Sequence, residues 1–226
     1  MRASVVIDYQ NLHLVGYEVC RGSAGDPHEC LVHPMLFARE LLRVRNANQK
    51  PGYPAANLAD VWVYRGLPQS DYDPQQNAWN LAHKAEWEKN PRVHVIHRPL
   101  RYVPKYATYS TQSGTGRAGG RIATDAGGRR LYASRREKGI DVMCALAVVR
   151  EAARDDIDLV ILASHDSDLE PALDAAIAMR TAKIETARWD GSARKRFVKQ
   201  LRTTQRIWNT KLDHTSFERC IDPRSY

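Results

Sequence analysis

The feature that most constrains the fold is a regular alternation between strand-type and helix-type segments. Short apolar or alternating stretches at 3–8, 59–66, 92–97, 157–163 and 181–187 predict strands. Helical spacing of apolar residues predicts helices over 34–48, 74–90, 138–155, 168–179 and 193–202, and a long loop is expected to join the first strand to the first helix. Parallel strands need such crossovers, so the alternation predicts an α/β fold with a mostly parallel sheet flanked by helices.

One insertion interrupts this alternation. The region of about 100–137 is rich in Gly, Ser and Arg, as in QSGTGRAGGRIATDAGGRR, and such a composition cannot bury enough apolar surface to form a core. We expect a basic loop or a small hairpin there. The chain of 226 residues is predicted to form a single domain over 1–211, with 212–226 as a C-terminal extension that either packs on the domain or is mobile.

The sequence carries no signal for a membrane or for secretion. No apolar run approaches the roughly 20 residues that a membrane-spanning helix requires. The N-terminal apolar run is broken by Asp8, Gln10 and Asn11 and lacks a typical cleavage site. Four cysteines are too few and too scattered for a disulfide framework. We therefore expect a cytoplasmic protein with reduced thiols and no membrane partner.

Four aspartates are placed where strands end or helices begin. Asp8 ends the first strand, Asp166 and Asp168 follow the strand at 157–163, and Asp141 begins the helix that leads into that strand. Ligands of parallel α/β sheets bind outside the carboxyl ends of the strands, so these carboxylates are expected to converge. Unpartnered, they would raise one another's pKa values, and oxygen-only ligands suit Mg²⁺ or Mn²⁺. The sequence predicts a divalent metal site at this edge.

Helix capping is the competing interpretation of three of these aspartates. Ser167 with Glu170 fits a capping box, Asp168 could cap the same helix, and Asp141 could complement a helix dipole. Asp8 has no such explanation, because a charge at the end of a buried strand needs a partner or a function.

Three sequence blocks resemble the signature blocks of NYN domains, which belong to the PIN-like nuclease superfamily. They are VVIDYQNL (5–12), KGIDVMCAL (138–146) and LASHDSDLEPAL (162–173), in the family's order and spacing. The resemblance covers about 3–190 and implies a PIN-like, Rossmann-like sheet and metal-dependent RNA cleavage. It assigns Asp8, Asp141, Asp166 and Asp168 to the metal-binding positions, and Asn11, Ser164 and Ser167 to the supporting polar positions. One departure is His165, where the family usually has Gly; we expect an exposed loop histidine, or else a proton donor.

Positive charge is concentrated in two stretches. Residues 98–138, the first basic stripe, contain ten Lys or Arg against two carboxylates, and residues 180–211, the second basic stripe, contain the same numbers. Such stripes on an otherwise acidic chain indicate a polyanion site. The RNA-contacting residues expected in the first stripe are Arg129, Arg130, Arg135, Arg136 and Lys138. Four tyrosines are expected either to stack on unpaired bases or to pack within the loop: Tyr102, Tyr106, Tyr109 and Tyr132.

These observations together favour a metal-dependent ribonuclease, expected to be an endonuclease, with RNA as its partner. The first alternative is a non-catalytic RNA-binding module with the same fold. The second is a phosphatase or phosphotransferase with Asp8 as nucleophile, which ranks third because the accompanying lysine motif is absent. Whether the protein forms a homodimer is left open.

Overall fold

The computed structural model describes residues 1–22, 26–106, 120–191 and 198–224. Its elements in chain order are β1 (Arg2–Asp8), α1 (Tyr9–Cys20), α2 (Pro34–Ala47), β2 (Asn57–Leu67), α3 (Pro74–Trp87), β3 (Val93–Pro99), β4 (Arg101–Pro104), β5 (Tyr132–Arg136), α4 (Ile140–Ala152), β6 (Leu159–Ala163), α5 (Glu170–Met179), β7 (Lys183–Trp189), β8 (Trp208–Leu212) and α6 (His214–Cys220).

Six strands form one sheet in the order β3-β2-β1-β6-β7-β8, and every neighbouring pair is parallel. Side chains of β1 alternate between the two faces, as strand geometry requires. Val5 and Ile7 join the core formed with α1, α2 and α6, whereas Val6 joins the core formed with α4 and α5. The predicted α/β fold, a parallel sheet flanked by helices, is therefore confirmed.

The helix α1 occupies about half of the segment expected to be a long loop, so that expectation was wrong for 9–20. Its buried residues include Tyr9, Leu12 and Gly16, which share one face of a helix. A Cβ on Gly16 would lie 2.6 Å from the indole nitrogen of Trp189, so glycine lets this ring pack on α1. The Trp189 indole N–H donates to the Leu12 carbonyl at 2.8 Å. The polar residues after β1 begin a helix rather than interrupt the fold.

The C-terminal part contributes to the sheet and to one helical layer. β8 pairs in parallel with β7, from Glu185 opposite Trp208 to Trp189 opposite Leu212. The segment 212–226, expected as an extension, supplies the end of β8 and the helix α6, which packs against α1 and α2. Of the helix expected over 193–202, residues 198–202 are irregular instead, and 192–197 lie outside the described residues.

The described ends of the insertion form an antiparallel ribbon. β4 pairs with β5 from Arg101 opposite Arg136 to Pro104 opposite Tyr132, and isolated bridges join Tyr106 to Ile122 and Thr124 to Arg130. Residues 107–119 lie outside the described part. In the described ranges, no helix is long and apolar enough to cross a bilayer.

Candidate functional site

An acidic cleft lies where the strand order reverses, between β1 and β6. The chain leaves β1 towards β2 on one side, while β6 pairs with β1 on the other. Because the strands are parallel, their carboxyl ends share one edge and the connections diverge there. An open cleft of about 590 Å³ occupies this position. Its polar lining residues are Asp8, Gln10, Asn11, Glu137, Lys138, Asp141 and Asp166.

Asp8 is the deepest carboxylate of the cleft. It ends β1, is only 5% exposed, and accepts a hydrogen bond from the Ser164 hydroxyl at 3.0 Å. The pKa of Asp8 is raised to about 6, chiefly by burial and then by the charges of Glu137 and Asp166, which together outweigh the lowering by hydrogen bonds from Ser164 and the Asn11 backbone. A negative charge at this position is therefore incompletely compensated by the protein.

The loop after β6 is fastened to the first turn of α1. The Asn11 side-chain oxygen accepts a hydrogen bond from the His165 backbone N–H at 2.8 Å. The Ser164 hydroxyl, which donates to Asp8, accepts from the Asp166 backbone N–H at 3.1 Å. Asn11 and Ser164, both expected as supporting residues, thus hold the loop that carries Asp166 against the junction of β1 and α1, which carries Asp8.

His165 is buried, so the expectation of an exposed loop histidine was wrong. Its Nε2 accepts the Trp189 backbone N–H at 3.3 Å, which assigns the proton to Nδ1, 3.1 Å from the Asn11 side-chain oxygen. Burial, followed by the charge of Arg188, lowers the pKa of His165 to about 4. The side chain is a neutral bridge between α1, β7 and the loop after β6.

Asp166 caps the short turn that precedes α5. Its Oδ1 accepts the Asp168 backbone N–H at 3.0 Å, where a short 3₁₀ turn, Ser167–Leu169, precedes α5. The proposed capping box does not form in this arrangement, because Glu170 instead accepts the Arg202 backbone N–H at 2.9 Å. Asp168 is exposed and does not line the cleft, and Ser167 also lies outside its lining.

Asp141 enters the cleft from the first turn of α4. The preceding Gly139 caps this helix with φ 79°, a conformation that favours glycine. A Cβ on Gly139 would lie 3.3 Å from the Arg98 guanidinium carbon, so that side chain passes close over the cap. The lysine-glycine pair before Asp141 therefore sets the angle at which α4 presents its carboxylate.

Glu137 is a cleft carboxylate that the sequence reasoning missed. Its Oε1 accepts the Gly66 backbone N–H at 2.7 Å, at the end of β2, and a Cβ on Gly66 would overlap that oxygen. Burial raises the pKa of Glu137, while the Gly66 hydrogen bond and the charge of Arg65 lower it. The available signal was its position four residues before Asp141, at the end of an arginine-rich run.

Four carboxylates from separate parts of the chain thus act on the same volume. The same four carboxylates lie near the buried thiol of Cys144, whose pKa is raised by burial and then by the charges of Asp8, Asp141, Glu137 and Asp166. An all-oxygen donor set of this kind fits Mg²⁺ or Mn²⁺. Among the residues that the structure describes, however, no three His, Cys, Asp or Glu side chains are grouped closely enough to hold an ion.

The five basic residues expected to contact RNA have different environments. Arg129 pairs with Asp125 at 3.4 Å, Arg130 with Asp71 at 3.0 Å and Arg135 with Asp73 at 2.7 Å. Arg136 and Lys138 are exposed and have no ion-pair partner within the described ranges. Lys138 also lines the cleft, where it contributes a positive charge among the carboxylates.

Two of the four tyrosines pack inside the insertion. Tyr102 stacks on Tyr72 with ring centroids 4.4 Å apart, and Tyr132 meets Tyr102 edge-on at 5.0 Å. Both hydroxyls donate to the Asp73 carboxylate, at 2.6 and 3.2 Å. Tyr106 is exposed, and Tyr109 lies outside the described residues. Loop packing, rather than base stacking, accounts for Tyr102 and Tyr132.

Comparisons with known proteins add no family. The sequence matches no protein-family model and no curated protein. Among solved structures, the chain is similar to a protein of unknown function from Vibrio parahaemolyticus RIMD 2210633, with a TM-score of 0.45 and 13% sequence identity over 97% of this chain and 95% of that chain. A similarity at this level transfers no function.

Proposed function

We propose that this protein is a divalent-cation-dependent ribonuclease, and specifically an endonuclease. The observation that carries the proposal is the convergence of Asp8, Glu137, Asp141 and Asp166 on one cleft at the switch point of a parallel sheet. Keeping Asp8 ionised at this position lowers the stability of the fold, because burial and repulsion by the neighbouring carboxylates raise its pKa. No cation among the described residues forms an ion pair with it. The resemblance of the surrounding blocks to NYN domains supports the same function.

The donor chemistry of the cleft supports Mg²⁺ or Mn²⁺ as the cofactor. The four cleft carboxylates would hold the ion, and Asp168, on the exposed turn beside Asp166, stays a predicted ligand. When bound, a divalent cation supplies an acidified water molecule and a positive charge against the scissile phosphate. Ser164 orients Asp8 by its hydrogen bond, and Lys138 at the cleft offers a cation to an RNA phosphate.

The test is cleavage of labelled single-stranded RNA in Mg²⁺ or Mn²⁺, with and without EDTA. We expect Asp8→Asn, Asp166→Asn and Glu137→Gln to lower the rate by orders of magnitude while RNA binding is retained. Asp155→Asn, which removes an exposed charge before β6, at the amino edge of the sheet and so opposite to the cleft edge, is the matched control and should cleave normally. A covalently circular RNA should also be cut, because only an endonuclease needs no free end.

The RNA-binding module is the alternative function, and one observation favours it: the described side chains form no ready three-ligand group. If wild type binds RNA but cleaves neither linear nor circular substrate in any divalent ion, the binding module replaces the nuclease. We further propose a cytoplasmic location, supported by the four free cysteines, of which Cys20, Cys144 and Cys220 are buried.

A further inference from the structure

One described part of the second basic stripe, residues 202–207, lies along the helix α5, outside the cleft. The Arg202 backbone N–H donates to Glu170 at 2.9 Å, at the start of α5. The Thr204 backbone N–H and hydroxyl both donate to Asp174, at 2.8 and 2.9 Å, in its middle. Ile207 packs on the same core as Ile177 near its end. Residues 202–207 therefore follow α5 from the carboxyl edge of the sheet to the amino edge.

Two openings flank this segment and adjoin along it. The first has a volume of about 660 Å³ and is lined by Arg188 and 198–202. The second has a volume of about 740 Å³ and lies beside the first residues of β7 and β8. They share the lining residues Arg206 and Ile207, so they adjoin each other at this point. We call this surface the α5 groove. The cations that line it are Lys50, Lys183, Arg188, Lys199, Arg202 and Arg206, and no described carboxylate lines either opening.

The charge of the α5 groove is largely uncompensated. Arg188 is fixed by neutral partners, the Asn209 side-chain oxygen at 3.0 Å and the Val198 carbonyl at 2.8 Å. Lys183 pairs with Glu185, a carboxylate already paired with the buried Arg45. The remaining four lining cations have no ion-pair partner in the part of the chain that the structure describes. A row of unpaired cations of this kind indicates a polyanionic ligand.

Exposed aromatic rings narrow the choice of polyanion. Tyr53 is 60% exposed and Trp208 is 39% exposed, and both line the opening that also contains Lys50 and Arg206. Unpaired bases stack on such rings while neighbouring cations hold the phosphates. A duplex offers phosphates but hides its base faces, and the carboxylates of an acidic peptide do not themselves stack on aromatic rings. The combination fits single-stranded RNA best.

We propose that the α5 groove is a second RNA-binding site, which holds a single-stranded segment beyond the part bound at the cleft. This inference rests on the proposed function for the identity of the polymer. Arg202, which lines the groove, donates its backbone N–H to Glu170, four residues after the cleft residue Asp166. The groove therefore starts near the carboxyl edge of the sheet that carries the cleft, and we expect one strand to contact both. The ten residues of α5 span about 15 Å. Long RNA should therefore gain affinity through the groove, and short RNA should not.

The experiment compares RNA binding in EDTA, where no cleavage occurs, by fluorescence anisotropy with labelled 20-nucleotide and 5-nucleotide oligouridylate. The test variant is Arg202→Gln/Arg206→Gln. The control is Arg39→Gln/Arg92→Gln, which removes the same charge at exposed positions outside both sites. Unfolding in urea verifies that each variant is folded. We expect the test variant to bind the 20-mer about tenfold more weakly than the control. The slope of log affinity against log salt should also fall in magnitude by about 1.4, because each lost phosphate contact contributes about 0.7.

A second variant, Tyr53→Ala/Trp208→Leu, tests stacking and should weaken 20-mer binding more than binding of a matched RNA duplex. Equal 20-mer affinity and salt slope in the test and control variants would refute the proposal. Loss of binding to phosphatidylglycerol vesicles, but not to RNA, would make the groove a membrane-surface site instead. If wild type cleaves no RNA but the test variant still loses 20-mer binding, the nuclease proposal fails and the α5 groove stands.

Discussion

Replacing Asp8 with Asn should stabilise the protein in the absence of metal. The side chain is buried, and burial, then repulsion by Glu137 and Asp166, raises its pKa from 3.8 to about 6. A carboxyl whose pKa is higher in the folded state than in the unfolded state costs stability once it is ionised in both. Asn has nearly the same shape and can still accept the Ser164 hydrogen bond, so the substitution removes mainly the charge.

The size of the effect follows from the pKa shift of Asp8. A shift of about two units, at about 1.4 kcal/mol per unit, corresponds to about 3 kcal/mol at pH 8, where the carboxyl is ionised in both states. At pH 5 the folded carboxyl is mostly protonated, and the cost falls to about 1.6 kcal/mol. Below the unfolded pKa it disappears. The gain from Asp8→Asn should therefore grow as the pH rises from 4 to 7.

The assay is urea unfolding in EDTA at pH 5 and pH 8 for wild type, Asp8→Asn and Asp168→Asn. The exposed Asp168 serves as the control, and its replacement should change the free energy of unfolding by less than about 0.5 kcal/mol. Added Mg²⁺ should then stabilise wild type more than Asp8→Asn, because only wild type retains this carboxylate for the ion. An Asp8→Asn protein that is less stable than wild type at pH 8 in EDTA would refute the reasoning.

Three further predictions concern residues around the cleft. Arg136→Gln/Lys138→Gln should reduce the slope of log affinity for single-stranded RNA against log salt by about 1.4, and an unchanged slope by anisotropy titration would remove these residues from the interface. The pKa of His165 is about 4 in the folded protein and 6.5 when unfolded, so this residue contributes stability above pH 6.5 that is lost as the pH falls to 4. This pH dependence of the stability is opposite in sign to that of Asp8. In an Asp8→Asn background, urea unfolding across this range should show that fall, and His165→Gln should make it smaller. Gly139→Ala forces alanine to φ 79° and should lower the free energy of unfolding by about 1 kcal/mol. The rate of RNA cleavage should fall as well, and an unchanged rate would show that the orientation of α4 does not affect cleavage.

The metal-site hypothesis depends on aspartates whose positions could be predicted from the sequence only because they lie at the ends of strands or at the start of a helix. Asp8 and Asp166 follow apolar strands directly, and Asp141 follows the lysine-glycine pair that starts a helix. Parallel strands share one carboxyl edge, so pattern and topology were enough to expect these three together, and all three line the cleft. Asp168 carried the same signal, but it lies two residues further along the 3₁₀ turn, outside the lining of the cleft.

Contacts between distant segments could not be predicted from the sequence. Glu137 enters the cleft because a glycine at the end of β2, 71 residues earlier, leaves room for its carboxylate and donates to it. His165 is neutral and buried because Asn11 and Trp189 meet it from two other elements. No local sequence pattern predicts these contacts, because the segments come together only after the sheet has formed.

The sequence by itself determined the alternation of strands and helices, because periodicity is local and each apolar face must be covered. It also determined the excess of positive charge in two stripes. Only the tertiary structure decided how that charge is used. Arg135 pairs with Asp73 beside two tyrosines, whereas Arg202 and Arg206, along α5, have no ion-pair partner among the residues that the structure describes. The physical reason is that an ion pair depends on the distance between two side chains, and the fold, not the order of residues, sets that distance.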